Sequence, residues 1–208
     1  SPESKPQIAV DLAADDRGRI ENALASGDLK ATLADCDAAL VAVGDVLIDT
    51  GTGLRNDFAF ARYETNGLFD ATFGSAGSFT GTLATSDNSA TLLKSLVVLT
   101  GGEIVAGGDV TDGAAGTLRM AAVRITPTGG LDATFGSGGA AIVTGVTLSS
   151  ASALVRQSDG KIVLAGFGGD GVTLGPAFHR MQANGAPDAG FGTGGLVVLP
   201  SSPFEEWL

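Results

Sequence analysis

The sequence predicts an all-β protein: a β-propeller-like array of three four-stranded repeats. Three observations carry that expectation. A corner is written three times, as FDATFGSAG (69–77), LDATFGSGG (131–139) and PDAGFGTGG (187–195). Around each copy lie short apolar runs of strand length, not helix length. Glycine is abundant, 32 of 208 residues, and falls between the runs, where tight turns need it.

The corner phenylalanines Phe73, Phe135 and Phe191 are spaced 62 and then 56 residues apart. Other residues keep step with them. Arg62, Arg124 and Arg180 stand eleven positions before the Phe, and Asp70, Asp132 and Asp188 three before it. Gly67, Gly129 and Gly185 stand six before, and Gly74, Gly136 and Gly192 follow directly. Self-similarity at fixed offsets marks a repeat architecture. The Asp is expected to accept backbone N–H groups in an Asx-type turn. The Phe is expected to fold inward as the plug of its own unit, and the Gly to let the chain turn where other residues resist. The Arg and Asp, eight residues apart across a turn, are expected to pair and brace the corner. Three equivalent ligand sites, as repeat lectins have, are the other use of the same residues.

In chain order, QIAVDL (7–12) reads as a fourth-type strand ahead of the first repeat. The segment 13–30 then breaks the pattern. It reads either as a short helix, capped by Asp15 or Asp16 and stopped at Gly27, or as a long loop. Insertions of this kind are where partner contacts collect. The first repeat follows, with runs at 31–34, 37–44, 57–64 and 78–83, and its Asp37-Ala38 turn is a poor hairpin. The second has SLVVL (95–99), GGEIVAGG (101–108), LRMAAVRIT (118–126) and AAIVTGV (140–146). The third has ALV (153–155), DGKIVLAG (159–166), AFHRMQA (177–183) and LVVL (196–199). Gly101-Gly102 and Asp159-Gly160 suit the positive φ angles of tight hairpins. In LRMAAVRIT both parities are apolar, which predicts burial on both faces.

The chain thus divides into a strand plus insertion (1–30), a three-repeat domain (31–199) and a tail (200–208). The tail holds the lone Trp207, and reads as a docking segment or as an ordinary chain end. A β-trefoil also has three four-stranded repeats, but its units are usually shorter and its aromatic pattern is not evident. Propellers close with four to eight blades, and three alone leave open edges. An incomplete ring is therefore expected, closed by another copy to give six blades or by sequence outside this chain.

RITPTGGLDATFGSGG (124–139) and LVRQSDGKIVLAG (154–166) resemble the delta-60 repeat, a tandem propeller-like module of bacterial secreted and surface proteins. The first copy resembles it through ARYETNGLFDATFG (61–74), but carries Cys36-Asp37-Ala38 where the family has Asp-Gly-Lys. The likeness runs from about residue 31 to 199. It implies a propeller-like architecture and export to the cell surface, periplasm or medium, with no catalytic residues to carry over.

Composition narrows the function classes. Hydrophobic residues make up 44% of the chain, enough for a core, and the net charge is -11. An acidic chain lacks the cationic surface that phosphate backbones and anionic lipids require, so neither nucleic acid nor a lipid surface is an expected partner. No apolar run reaches the roughly 18 residues of a membrane span. Low charge with abundant Gly, Ala, Thr and Ser fits a bacterial secreted protein. The start at Ser1 fits signal-peptide removal, and equally a chain taken from within a longer one. Cys36 is the lone cysteine, so no internal disulfide forms.

The chemistry-bearing residues are few. His179, the lone histidine, aligns with Ala61 and Val123 and so reads as a strand position. No G-x-S-x-G motif accompanies it and no Walker motif is present. One His and one Cys cannot build the usual zinc site. Asp109, Asp112 and Asp170 lie among glycines, where turn chemistry accounts for them better than calcium does. The expected reading is a non-enzymatic interaction or structural module without catalytic residues, metal or cofactor. Its partner is protein or a further copy of itself. Carbohydrate is the alternative ligand, disfavoured because aromatics are only 6% and neither Tyr63 nor Trp207 is repeated.

Overall fold

A computed structural model of the chain describes residues 34–36, 39–64, 67–84, 86–113, 115–170 and 172–200. QIAVDL, the segment 13–30, the Asp37-Ala38 turn and the tail from 201 onward lie outside the described residues.

The described residues form twelve strands and no helix, grouped as three four-stranded antiparallel blades. Blade 1 holds β1 (Ala34–Cys36), β2 (Ala39–Asp49), β3 (Leu54–Tyr63) and β4 (Ser78–Gly81). Blade 2 holds β5 (Ala90–Val98), β6 (Ile104–Asp112), β7 (Thr117–Ile125) and β8 (Ala140–Ile142). Blade 3 holds β9 (Leu148–Arg156), β10 (Ile162–Gly169), β11 (Leu174–Met181) and β12 (Leu196–Val198). Each blade is a meander in which every strand pairs with the next. Blades 1 and 2 also touch through one parallel pair, Asn56 with Ala90. This is the propeller-like arrangement the repeats predict, and among the described residues it does not close into a ring.

The first strands of blades 2 and 3 begin earlier than their apolar runs suggest. A β-bulge explains part of this, at Lys94 in β5 and at Ser152 in β9. Each bulge shifts the register by one residue. The Gly opposite, Gly108 or Gly166, is required because a Cβ there would lie 2.0 Å from the carbonyl of Leu92 or Ser150.

The core lies between blades, not within them. One cluster joins blades 1 and 2 and includes Val41, Phe58, Phe60 and Phe73 against Leu93, Ile104, Ala106, Val123 and Ile125. A second joins blades 2 and 3 and includes Val105, Met120, Ala122 and Phe135 against Leu154, Ile162, Leu164 and Met181. Alternate residues of β7 divide between them: Met120 and Ala122 face blade 3, Val123 and Ile125 face blade 1. The two-sided apolarity of LRMAAVRIT is thus the mark of a blade covered on both faces. Gly107 leaves room for Leu164 and Leu154, which lie 2.5 and 2.9 Å from where its Cβ would be.

Candidate functional site: the repeated corner and the blade face it serves

Each blade presents two faces. The entry face looks back along the chain, and the exit face, carrying the corner Phe and Arg, looks on toward the next blade. The corner sits between the third and fourth strands. Its Asp N–H donates to the Arg carbonyl at 2.9, 2.8 and 3.0 Å, and its Phe N–H to the Asp carbonyl at 3.0, 2.9 and 2.9 Å. The corner glycines Gly74, Gly136 and Gly192 hold φ near +56°, +56° and +57°. A Cβ on them would fall 2.0, 2.0 and 2.1 Å from the carbonyl oxygens of Ser78, Ala140 and Leu196. Only glycine lets the fourth strand return so closely.

The side chains make one assembly. Arg62, Arg124 and Arg180 donate through Nε to Asp70, Asp132 and Asp188 at 2.8, 2.7 and 2.7 Å. Each guanidinium also lies over its Phe ring, 4.8, 5.0 and 4.5 Å from the centroid of Phe73, Phe135 and Phe191. In the first two corners the other carboxylate oxygen takes the Thr72 or Thr134 amide, at 2.9 and 3.0 Å, and the same hydroxyl, at 2.5 and 2.7 Å. These are Asx turns. The Thr hydroxyl and amide, with the Arg behind them, hold the Asp70 and Asp132 carboxyls below the ordinary carboxylate value. In the third corner Gly190 replaces the Thr. Burial there pushes Asp188 upward, but the Gly190 amide, Arg180 and the charge of Lys161 outweigh it and keep its carboxyl low.

The assembly also reaches outward, which spacing does not reveal. Arg62 Nη1 donates to the Pro127 carbonyl of blade 2 at 2.5 Å, and Arg124 Nη1 to the Ala183 carbonyl of blade 3 at 2.8 Å. Beside them Gly74 N donates to Thr128 O at 2.8 Å, and Gly136 N to Asn184 O at 2.7 Å. The acceptors lie in the turn after the third strand of the next blade. That turn carries Gly129 or Gly185 at φ +81° and +83°. A Cβ on Gly129 would be 2.3 Å from Gly74 N, and one on Gly185 2.8 Å from Gly136 N. The glycines six before each Phe therefore allow two backbones to touch across a blade boundary. The Phe, expected to plug its own unit, instead fills the seam: Phe73 packs with blade 2 residues and Phe135 with blade 3 residues.

In blade 3 the same donors have no such receiver. Among the described residues Arg180 bonds only Asp188, and Gly192 N meets no turn carbonyl. Phe73 and Phe135 are 0% exposed, whereas Phe191 is half-buried. Val155, Val163, Phe178 and Val197 lie on this exit face with Arg180, as the strand registers show. Val155 is 55% exposed, while its blade 2 counterpart Val97 packs in the core.

The remaining candidates resolve differently. His179 sits in β11 opposite Leu164 and Leu196, 4% exposed on the entry face that meets blade 2. Its Nδ1 has no hydrogen-bond partner, and burial pushes the imidazole below its ordinary value. Asp170 does make a turn, accepting from Val172 N and Thr173 N at 2.9 and 2.7 Å. Asp112 closes β6 and accepts from Ser86 Oγ and Ala115 N. Asp109 is a correction to the turn reading. It is a buried strand residue, 3% exposed, that binds Lys94 Nζ, Ser150 Oγ at 2.9 Å and Ala151 N at 2.7 Å. It crosses from blade 2 to the bulged strand of blade 3, and the sequence offers no cue to that contact. Cys36 lies in β1. Among the described residues no three His, Cys, Asp or Glu side chains converge as a metal site would require, and no helix is long and apolar enough to cross a membrane.

No curated protein matches the chain. Residues 102–135 and 157–191 match the model of a β-propeller domain of unknown function (DUF5122), each match running from the hairpin before the second strand to the corner Phe, so the family comparison and the blade geometry agree on a propeller-like repeat.

Proposed function

We propose that this chain is a non-enzymatic protein-interaction module of a bacterial secreted or surface protein of the delta-60 repeat type, acting through the exposed face of its last blade. The observation that carries the reading is the contrast among three equivalent faces. Two are sealed by a following blade, whereas on the third Val155 is exposed and Phe178, Phe191 and Arg180 are only half-buried among the described residues. An apolar patch with a polar anchor is the composition of an interaction surface. The non-enzymatic reading is supported by the one histidine being buried in strand packing, its Nδ1 without a hydrogen-bond partner. A sugar-binding role draws less support. The shallow depression lined by Gly145, Val146, Thr147, Gly169, Asp170, Thr173 and Val198 has no aromatic platform. A glycan array tests the reading: no saturable binding is expected from the wild type. Saturable binding that persists in Phe178→Asp overturns it in favour of a lectin.

A further inference from the structure

His179 stands in the seam between blades 2 and 3, in the cross-strand row of Leu154, Leu164 and Leu196. Along β11 it is flanked on the same face by Ala177 and Met181. All five neighbours belong to the apolar cluster that joins the two blades, which blade 2 completes with Val105, Met120, Ala122 and Phe135. The imidazole fits closely, since a Cβ on Gly195 would lie 3.1 Å from His179 Cε1. Packing does not call for a histidine there, because Val123 holds the same place in the seam between blades 1 and 2. The charged side chains of the elements around His179 are engaged elsewhere. Asp109 of β6 is taken up by Lys94 of β5 and by Ser150 and Ala151 of β9. Arg124 of β7 holds Asp132 and the Ala183 carbonyl. Asp188 pairs with Arg180 and Lys161, and Arg156 is exposed at the end of β9. Strands β8, β10 and β12 contribute no charged residue. Burial, with no neighbouring charge to offset it, pushes the imidazole below its ordinary value, and its Nδ1 has no partner.

We propose that the seam between blades 2 and 3 is an acid-operated joint: a proton on His179 releases blade 3 from blade 2 and leaves the seam between blades 1 and 2 closed. The closed seam denies the imidazolium both water and a counter-charge, whereas the open seam gives it water. The open form therefore takes the proton, and opening follows by mass action. With an ordinary value of 6.5 for the open form, the opening equilibrium shifts about tenfold between pH 7.5 and pH 5.5. Release uncovers Met120, Ala122 and Phe135 on blade 2 and Leu164 and Met181 on blade 3. It also moves the blade that bears the proposed interaction face.

Amide hydrogen exchange on the full chain at the same two pH values, corrected for the intrinsic rate at each, tests this. In the wild type the amides of β9 to β11 and of the Phe135 corner should lose about tenfold in protection at the lower pH, while those of β3 and the Phe73 corner keep theirs. A dye that fluoresces on exposed apolar surface should brighten over the same interval. His179→Val, which installs the residue of the other seam, should remove both responses. His179→Phe, closer in size to imidazole, is the second neutral variant should valine leave the seam loose, and far-ultraviolet dichroism at the higher pH is the folding control for both. A wild type whose blade 3 keeps its protection at the lower pH overturns the proposal. So does an equal loss in all three blades, which marks a general weakening by acid. So does a response of unchanged size in a folded neutral variant, which assigns the proton to another group.

Discussion

Two residues in this protein carry opposite lessons about buried charge. Asp109 is buried but fully served by Lys94, Ser150 and Ala151. Asp109→Ala should leave the buried Ala151 amide without its acceptor and cost about 2 kcal/mol in chemical denaturation. His179 is buried and unserved at Nδ1. Because its folded-state value is depressed, the unfolded chain binds the proton first as pH falls. Stability from this residue is therefore complete above its unfolded value of 6.5 and is lost progressively below it, toward the folded value. His179→Val, which installs the residue of blade 2, should raise stability by about 1 kcal/mol at neutral pH. It should also flatten the fall in melting temperature just below pH 6.5. An unchanged acid slope would show that His179 is not the responsible group. The corner carboxylates act in a lower window. Asp70 and Asp132 are depressed below 3.8, so their contribution is present above that value and disappears as pH drops through their folded values. Their pairing with Arg was legible from an eight-residue spacing. The burial of Asp109 was not, because its partners lie 15 and 41 residues away on neighbouring strands.

At the scale of the element, identical corners have unequal worth. Phe135 is wholly buried in the seam between blades 2 and 3, whereas Phe191 is half-buried. Phe135→Ala should cost about 3 to 5 kcal/mol, the usual loss for a core phenylalanine. Phe191→Ala should cost the isolated chain markedly less, as measured by urea unfolding. Equal losses would mean that the corner is stabilised within its own blade. The glycine at the turn is less forgiving. Gly136→Ala places a Cβ 2.0 Å from the Ala140 carbonyl at a left-handed φ. It should cost at least about 2 kcal/mol from backbone strain alone. The strands themselves were readable because apolar runs, glycine turns and corner spacing all agree on them. Their bulges were not, since Lys94 and Ser152 look like ordinary strand residues and only the opposing Gly108 and Gly166 hint at a crowded backbone.

Across the whole molecule, stability is set by how many faces of a blade are covered. Among the described residues blade 2 packs on both sides and blade 3 on one. Amide hydrogen exchange should therefore be slowest in β6 and β7 and faster in β11 and β12, because local opening follows buried contact. Reversed protection would contradict the seam as the source of stability. Three repeats, four strands in each, the corner and its Arg–Asp pair were all determined by the sequence alone, since each depends on residues close together in the chain. The tertiary structure decided what those corners are for. The guanidinium and the glycine amide reach carbonyls 65 and 54 residues further on in the first seam, and the Phe fills the gap between blades instead of its own unit. A periodic sequence repeats its parts without saying which neighbour they meet, and that is settled only when the sheets stack and their backbones come within hydrogen-bonding distance.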